Sequence, residues 1–153
     1  MGAKKRPFKL ALAPHTLRGR TSFLITRLAP LLRRHYILRL SAFGITMQHY
    51  AVLCSLGEFG TSCNSDLVTW TGIHASDLIP LLNTLQSRMC VVRDREDRDQ
   101  RRAELRLTHW GKELLAQAEH ALDDVENEVF APLTSEERAA LRTMLLRAVD
   151  CNG

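Results

Sequence analysis

Acidic side chains are almost missing from the first sixty residues of this 153-residue chain, where Glu58 stands alone against ten lysines and arginines. Residues 61–107 carry seven of each sign, and residues 108–153 carry four basic and nine acidic groups. The net charge of +4 therefore hides a basic front and an acidic tail. Such halves attract each other within a subunit or across a dimer, so the front charge alone is not a nucleic-acid footprint. The four cysteines, Cys54, Cys63, Cys90 and Cys151, show no C-x-x-C spacing and no clustered histidine partners. That argues against a zinc site and leaves free thiols in a reducing cytoplasm as the expectation. No apolar run approaches the roughly 18 residues a membrane span requires. The opening stretch, MGAKKRPFKLALAP, has too interrupted an apolar run for a signal peptide. A phosphate loop, GxSxG and HExxH are all absent, so no catalytic residue, metal or cofactor is expected and the chain does not read as an enzyme.

What is present suits one folded domain, with 45% apolar and 25% charged residues. Residues 1–17, with Pro7, Pro14 and four basic side chains, read as a flexible basic arm, and residues 18–153 as a single domain. From about Leu17 to Leu40 apolar residues recur at three- and four-residue steps, which predicts a helix that Pro30 kinks or divides. Thr46 is placed to cap a second helix stopped by Gly57 and Gly60. A short helix over Asn64 to Thr71 follows, with Leu67, Val68 and Trp70 as packing residues and Gly72 ending it. In the next, Ser76 to Met89, Leu78, Leu81, Leu82 and Leu85 form one buried stripe. Short helix, glycine turn and striped helix make a helix-turn-helix.

Arg93 to Thr108 comes directly after it and holds six arginines and five acids, with no glycine or proline. Such a run cannot bury itself, yet Cys90-Val91-Val92 and Leu105-Arg106-Leu107 on either side are compatible with strands. A solvent-exposed hairpin at this position is a wing. Thr108 then caps a long helix lasting until Pro132, and Thr134 or Ser135 caps a last one with Leu141, Met144, Leu145 and Ala148 on its apolar face. The fold class is therefore mainly α with a small β-hairpin wing.

The order of elements and several residues resemble the MarR family of winged helix-turn-helix transcription regulators. The resemblance rests on Gly44-Ile45-Thr46 with Tyr50 and Leu53, on Leu67 and Gly72-Ile73, and on Leu85 and Val92-Arg93. It continues through Asp99-x-Arg101, six residues before Leu107-Thr108, and Gly111 in the long helix. It covers residues 20 to 149 and implies a winged helix-turn-helix lobe (about 45–108) between dimerisation helices (about 18–42 and 109–150). The function it implies is a homodimeric, cytoplasmic repressor that binds a palindromic operator in double-stranded DNA and is released by a small aromatic or phenolic effector. On this pattern Arg101 reaches a minor groove and Asp99 holds the wing in shape; Arg98 and Arg102 beside it are expected to add to DNA affinity.

The reading helix departs from the family pattern. Ala75, Ser76, Asp77, Ile79 and Pro80 stand where small polar and basic residues are usual, and His74 stands where a capping serine is usual. If Ser76 starts the helix, Pro80 lies near the end of its first turn, where a missing N–H costs little. Ser76, Asn83, Thr84 and Ser87 remain for groove contact, with Gln86 and Arg88 nearby. By analogy, His35, Tyr36, Arg39, His49 and Tyr50 lie near the ligand crevice. Cys63, at or beside a helix N-cap, is a candidate redox switch, because a helix N-terminus favours thiolate. The alternatives to the repressor reading are a ligand-binding or sequestering protein with weakened DNA reading and a regulator that senses oxidation through Cys63.

Overall fold

In the computed structural model residues 13–95 and 103–151 are described, and the chain divides into two compact units, Met1–His35 and Tyr36–Gly153. The first holds α1 (His15–Arg18) and the greater part of α2 (Thr21–Ser41). Pro30 lies inside α2, which remains a single helix, so the expected division at this proline does not occur. Proline removes one N–H and crowds the carbonyl four residues back. In a helix of 21 residues the bonds on either side carry the backbone through.

The second unit is built around leucines spaced to share one face. After the turn at Gly44 (φ +66°), Thr46 caps α3 (Met47–Phe59), and Val52, Leu53 and Leu56 join Leu40 and Ile45 in the core. Gly57 does not stop α3 as expected; it lies within the helix, and Gly60 is the C-cap. A Cβ on Gly57 would sit 2.7 Å from Leu115 Cδ2, so this glycine serves close packing rather than termination. α4 (Asn64–Thr71) keeps its expected limits, ended by Gly72 in the left-handed conformation. Trp70, expected to pack inward, is 40% exposed and stacks on the exposed Phe59 with ring centroids 4.3 Å apart.

α5 (Ala75–Ser87) starts one residue earlier and ends two residues earlier than expected, and Pro80 is its sixth residue, beyond the first turn. The proline is tolerated because of the opposite face. Leu78, Leu81, Leu82 and Leu85 are all buried, and at about 2 kcal/mol each they outweigh the ~3 kcal/mol a helical proline costs. Antiparallel strands β1 (Val91–Arg95) and β2 (Ala103–Leu107) pair from Val91↔Leu107 to Arg95↔Ala103. Ser62 adds an isolated bridge to Leu105, giving and receiving one backbone bond at 3.0 and 2.8 Å.

Thr108 caps α6 (His109–Val129), which buries Leu114, Ala118, Leu122 and Val125. Thr134 caps α7 (Ser135–Asp150) in a reciprocal box with Glu137. No residue of α7 is buried, and Met144, Leu145, Leu146 and Val149 are 40–66% exposed. Among the described residues no helix is long and apolar enough to cross a membrane.

Candidate nucleic-acid interface

The exposed face of α5 lies opposite its leucine stripe and is shaped by hydrogen bonds within the helix. His74 is the N-cap: its Nδ1 accepts from Ser76 N at 3.4 Å and lies 2.8 Å from Ser76 Oγ. The imidazole takes the capping role of a serine and engages the Ser76 hydroxyl. Proline at 80 leaves the Ser76 carbonyl without its usual donor four residues on. Thr84 Oγ1 donates to Pro80 O at 2.9 Å and Ser87 Oγ to Thr84 O at 2.8 Å. Three of the four candidate groove-contact residues therefore have hydroxyls bound locally. The fourth, Asn83, is exposed, and its amide suits the N6/N7 edge of adenine. Asp77 and Ile79, the latter 51% exposed, share the outer surface.

Arg88, placed near the groove by the sequence, is engaged elsewhere. Its guanidinium donates to Phe43 O at 2.8 Å and Gly44 O at 3.1 Å, fastening the end of α5 to the turn after α2. Sequence periodicity gives no sign of this contact, whose partners lie 45 and 44 residues away.

In the hairpin, Arg106 Nε meets Asp94 Oδ2 at 2.6 Å. The register pairs Val92 with Arg106 and Asp94 with Glu104, which makes Arg106 and Asp94 diagonal neighbours on one face. Both are about half exposed, so the pair contributes about 0–1 kcal/mol and chiefly sets strand orientation. Arg98, Arg101 and Arg102, and Asp99 with its wing-stabilising role, lie outside the described residues.

The ligand candidates separate. His35 is on α2 in the first unit. Tyr36 and Arg39 meet α6: Tyr36 Oη donates to Glu126 Oε1 at 3.2 Å, and Arg39 pairs with Glu128 at 3.7 Å. Tyr50 lies beside Cys54; burial, then Cys54, then Glu119 and Asp123 push its phenol up, and burial pushes the Cys54 thiol up. His49 is buried and tied into the α3 cap. A cleft of about 730 Å³ opens nearby, lined by the second half of α3 (Cys54, Gly57, Glu58), by Arg106 and Leu107 of β2, and by Lys112, Leu115 and Glu119 of α6. None of the five candidates lines it. Gly57 was its one sequence signal, a helical glycine with a packing reason.

Burial first, then the Glu126 carboxylate as charge and acceptor, then Asp123 push the Tyr36 phenol from 10.0 up to about 12. Unfolded, the phenol ionises near its ordinary value; folded, it keeps its proton further up. The stability it contributes is intact below pH 10 and falls as pH rises from there to about 12. Tyr36→Phe is expected to make urea-unfolding free energies fall less steeply across this window, and an unchanged slope would contradict the assignment.

Cys63 is the N-cap of α4, as expected from its position. Asp66 Oδ2 accepts from its backbone N and its Sγ, both at 2.9 Å, and Ser65 Oγ lies 2.8 Å from the sulfur. The thiol here is a hydrogen-bond donor.

No family model matches the chain. A curated relative, the HTH-type transcriptional regulator SarZ of Staphylococcus epidermidis, is 29% identical over 100 residues, covering 64% of this chain and 65% of the relative. The match thus spans just under two thirds of that protein's length. Among solved structures, a mutant MarR from E. coli complexed with operator DNA is 25% identical with a TM-score of 0.71, over 83% of this chain and 91% of that one. BpsR of Bordetella bronchiseptica, described with regulation of its DNA binding by 6-hydroxynicotinic acid, is 20% identical with a TM-score of 0.74, over 90% and 99%. A MarR family protein of Mycobacterium tuberculosis in complex with salicylic acid is 22% identical with a TM-score of 0.68, over 85% and 96%. With a helix-turn-helix, a two-stranded wing and flanking helices in the same order, this chain has the fold of the MarR family of winged helix-turn-helix transcription regulators.

Proposed function

We propose that the chain is a homodimeric, cytoplasmic DNA-binding transcription regulator, a repressor that holds a palindromic operator and releases it when a small aromatic or phenolic effector binds. The observation that carries this is α4 and α5 with an outward face, followed directly by a hairpin, in a fold shared with a chain crystallised on operator DNA. A two-fold dimer sets two such helices in successive major grooves, one helical turn apart. Asn83 supplies base contact, and Ser76, Thr84 and Ser87 line the groove. Arg98, Arg101 and Arg102 supply the cationic reach from the wing, whose shape Asp99 keeps.

The dimer is supported by Met144, Leu145, Leu146 and Val149 of α7, large apolar side chains that stand 40–66% exposed, since clustered exposed apolar groups mark interaction surfaces. Helices within 18–42 and 109–150 form its interface. The effector's place is beside Tyr36, Arg39 and Tyr50 or in the adjoining cleft, where it acts by binding two conformations unequally. BpsR and the Mycobacterium tuberculosis protein are relatives named with an aromatic acid.

The test is a mobility shift with duplex DNA from upstream of the chain's own coding sequence, at about 50 and 200 mM salt. Six or more phosphate contacts predict a loss of roughly a thousandfold or more across that range. Absence of a protected palindrome even at low salt would end the repressor reading. Leu145→Glu, placing a charge in the α7 apolar row, is expected to give monomers by light scattering and to lose the shift. A dimer that persists in this variant would move the interface elsewhere.

A second reading, a ligand-binding or sequestering protein with weakened DNA reading, draws support from Asp77 in the first turn of α5, a carboxylate that repels phosphate. It predicts ligand binding without a shift at any salt concentration.

A further inference from the structure

His49 stands where a capping box normally carries Glu or Gln, three residues after the capping threonine. Its Nδ1 accepts from Thr46 N at 3.2 Å and lies 2.8 Å from Thr46 Oγ1, while Thr46 Oγ1 accepts from His49 N at 3.4 Å. A backbone N–H can only donate, so Nδ1 is bare and the neutral ring carries its proton on Nε2. That atom is buried and has no hydrogen-bond partner among the described residues. A second proton has one place to go, Nδ1, and there it would face the Thr46 N–H. Protonation excludes the Thr46 N–H bond, the reciprocal half of the box, and turns the 2.8 Å contact with Thr46 Oγ1 into one that Nδ1 donates.

The same turn is held from the other side. Arg88, the C-cap of α5, spans Phe43 O and Gly44 O with its two terminal nitrogens. Its positive charge acts on His49, and burial followed by Arg88 pushes the imidazole below its ordinary value. The elements packed on α3 carry other charges. Asp66 of α4 is bound to Cys63, Arg106 of β2 to Asp94, and Glu119 and Asp123 of α6 act on Tyr50. Glu104 faces Asp94 across the hairpin.

The geometry points to a proton-sensitive joint: Arg88 is a positioning residue that fixes the reading helix to the turn between α2 and α3, and protonation of His49 loosens that turn. With the imidazole neutral, the cap and the arginine fork hold the two ends of the turn and α5 keeps its direction. When Nδ1 takes a proton, the Thr46 N–H loses its acceptor and the ring becomes a cation within the field of the Arg88 guanidinium. The Phe43-Gly44 carbonyls then shift from the fork. The sign follows from linkage. The unfolded state takes up this proton at higher pH than the folded state, so stability is intact above about pH 6.5 and falls as pH drops below it. The consequence for DNA rests on the regulator reading proposed above.

Two variants separate the parts. His49→Gln restores the usual capping residue with an acceptor that does not titrate, and Arg88→Ala removes the fork at any pH. Hydrogen exchange of the full chain is followed in residues 43–50 and 81–89 at about pH 7.5 and 5.5, corrected for intrinsic rates, because local opening reports the joint directly. In the parent chain both segments are expected to lose protection together at the lower pH, by roughly fivefold or more. His49→Gln should show the same protection at both values, and Arg88→Ala low protection in 81–89 at both. Equal acid-induced loss in parent and His49→Gln would overturn the proposal, as would loss confined to 43–50. A second arm follows a fluorescein-labelled duplex from upstream of the chain's own coding sequence. Acid is expected to weaken its binding to the parent more than to His49→Gln. Binding to neither chain at any pH removes the regulator reading while leaving the exchange result to decide the joint.

Discussion

Arg101→Ala is expected to weaken binding to duplex DNA roughly tenfold at about 0.1 M salt and to flatten the dependence of log K on log salt by about one unit. The reason is how little the reading helix itself offers. The outer face of α5 holds Asn83, three hydroxyls already bound within the helix, an aliphatic Ile79 and an acidic Asp77. Arg88, the cation at the end of that helix, is spent on two backbone carbonyls, and Arg106 is paired with Asp94. Within the helix-turn-helix and hairpin, positive charge for phosphate or a narrow minor groove is therefore expected mainly from the arginines between β1 and β2. Fluorescence anisotropy over a salt series measures both effects. Unchanged affinity and slope would make the charged run a solvated hairpin and return attention to the ligand-binding reading.

Gly111→Ala is expected to cost about 3 kcal/mol or more of stability, a large part of what a domain of this size has. A Cβ at this position would lie 2.0 Å from Cys90 O and 3.0 Å from Cys90 C, with Leu107 Cδ2 at 3.2 Å. The obstacle is backbone, held in place because Cys90 O also accepts from Thr108 N at 3.1 Å. Relief would require the start of α6 to move off the strand junction, and Gly111 N would then lose Thr108 Oγ1 at 3.1 Å. Gly57→Ala makes the contrast. There the atom in the way is Leu115 Cδ2 at 2.7 Å, the far end of a side chain lining an open cleft. The ~1 kcal/mol gained in helix propensity offsets a strain of similar size, and a net change within about 1 kcal/mol is expected. Urea midpoints of the two variants decide the matter: similar values would mean that backbone and side-chain obstacles yield alike.

Some features were legible because their chemistry is local. Thr46, Thr108 and Thr134 each accept from the backbone three residues ahead. Such a cap is written within four consecutive residues. The limits of α4 follow from Gly72, whose left-handed backbone ends the helix. The leucines of α5 repeat with the helical period, so their burial could be read before their neighbours were known. The hairpin followed from short apolar segments around a run too charged to bury.

Other features depend on partners far along the chain. Gly57 looked like a stop and is a packing site, because the deciding atom belongs to Leu115. Trp70 looked like core and is half of a surface pair with Phe59. Arg88 looked like a neighbour of the groove residues and is a clamp. His49, whose capping role the sequence did not suggest, is a buried member of the α3 cap. Pro80 lies deeper in its helix than its neighbours suggested, because His74 could take the capping place usual for serine.

By itself, then, the sequence determined the order of α2 to α7 and the hairpin, the threonine caps and the buried leucine face of α5. These follow from backbone preference and hydrophobic period, which act over a few residues. Tertiary structure alone decided which exposed-looking side chains are free, because that depends on which carbonyl, ring or carboxylate folding brings within about 3 Å of them. The charged wing belongs to the first class, and the joint that aims the reading helix belongs to the second.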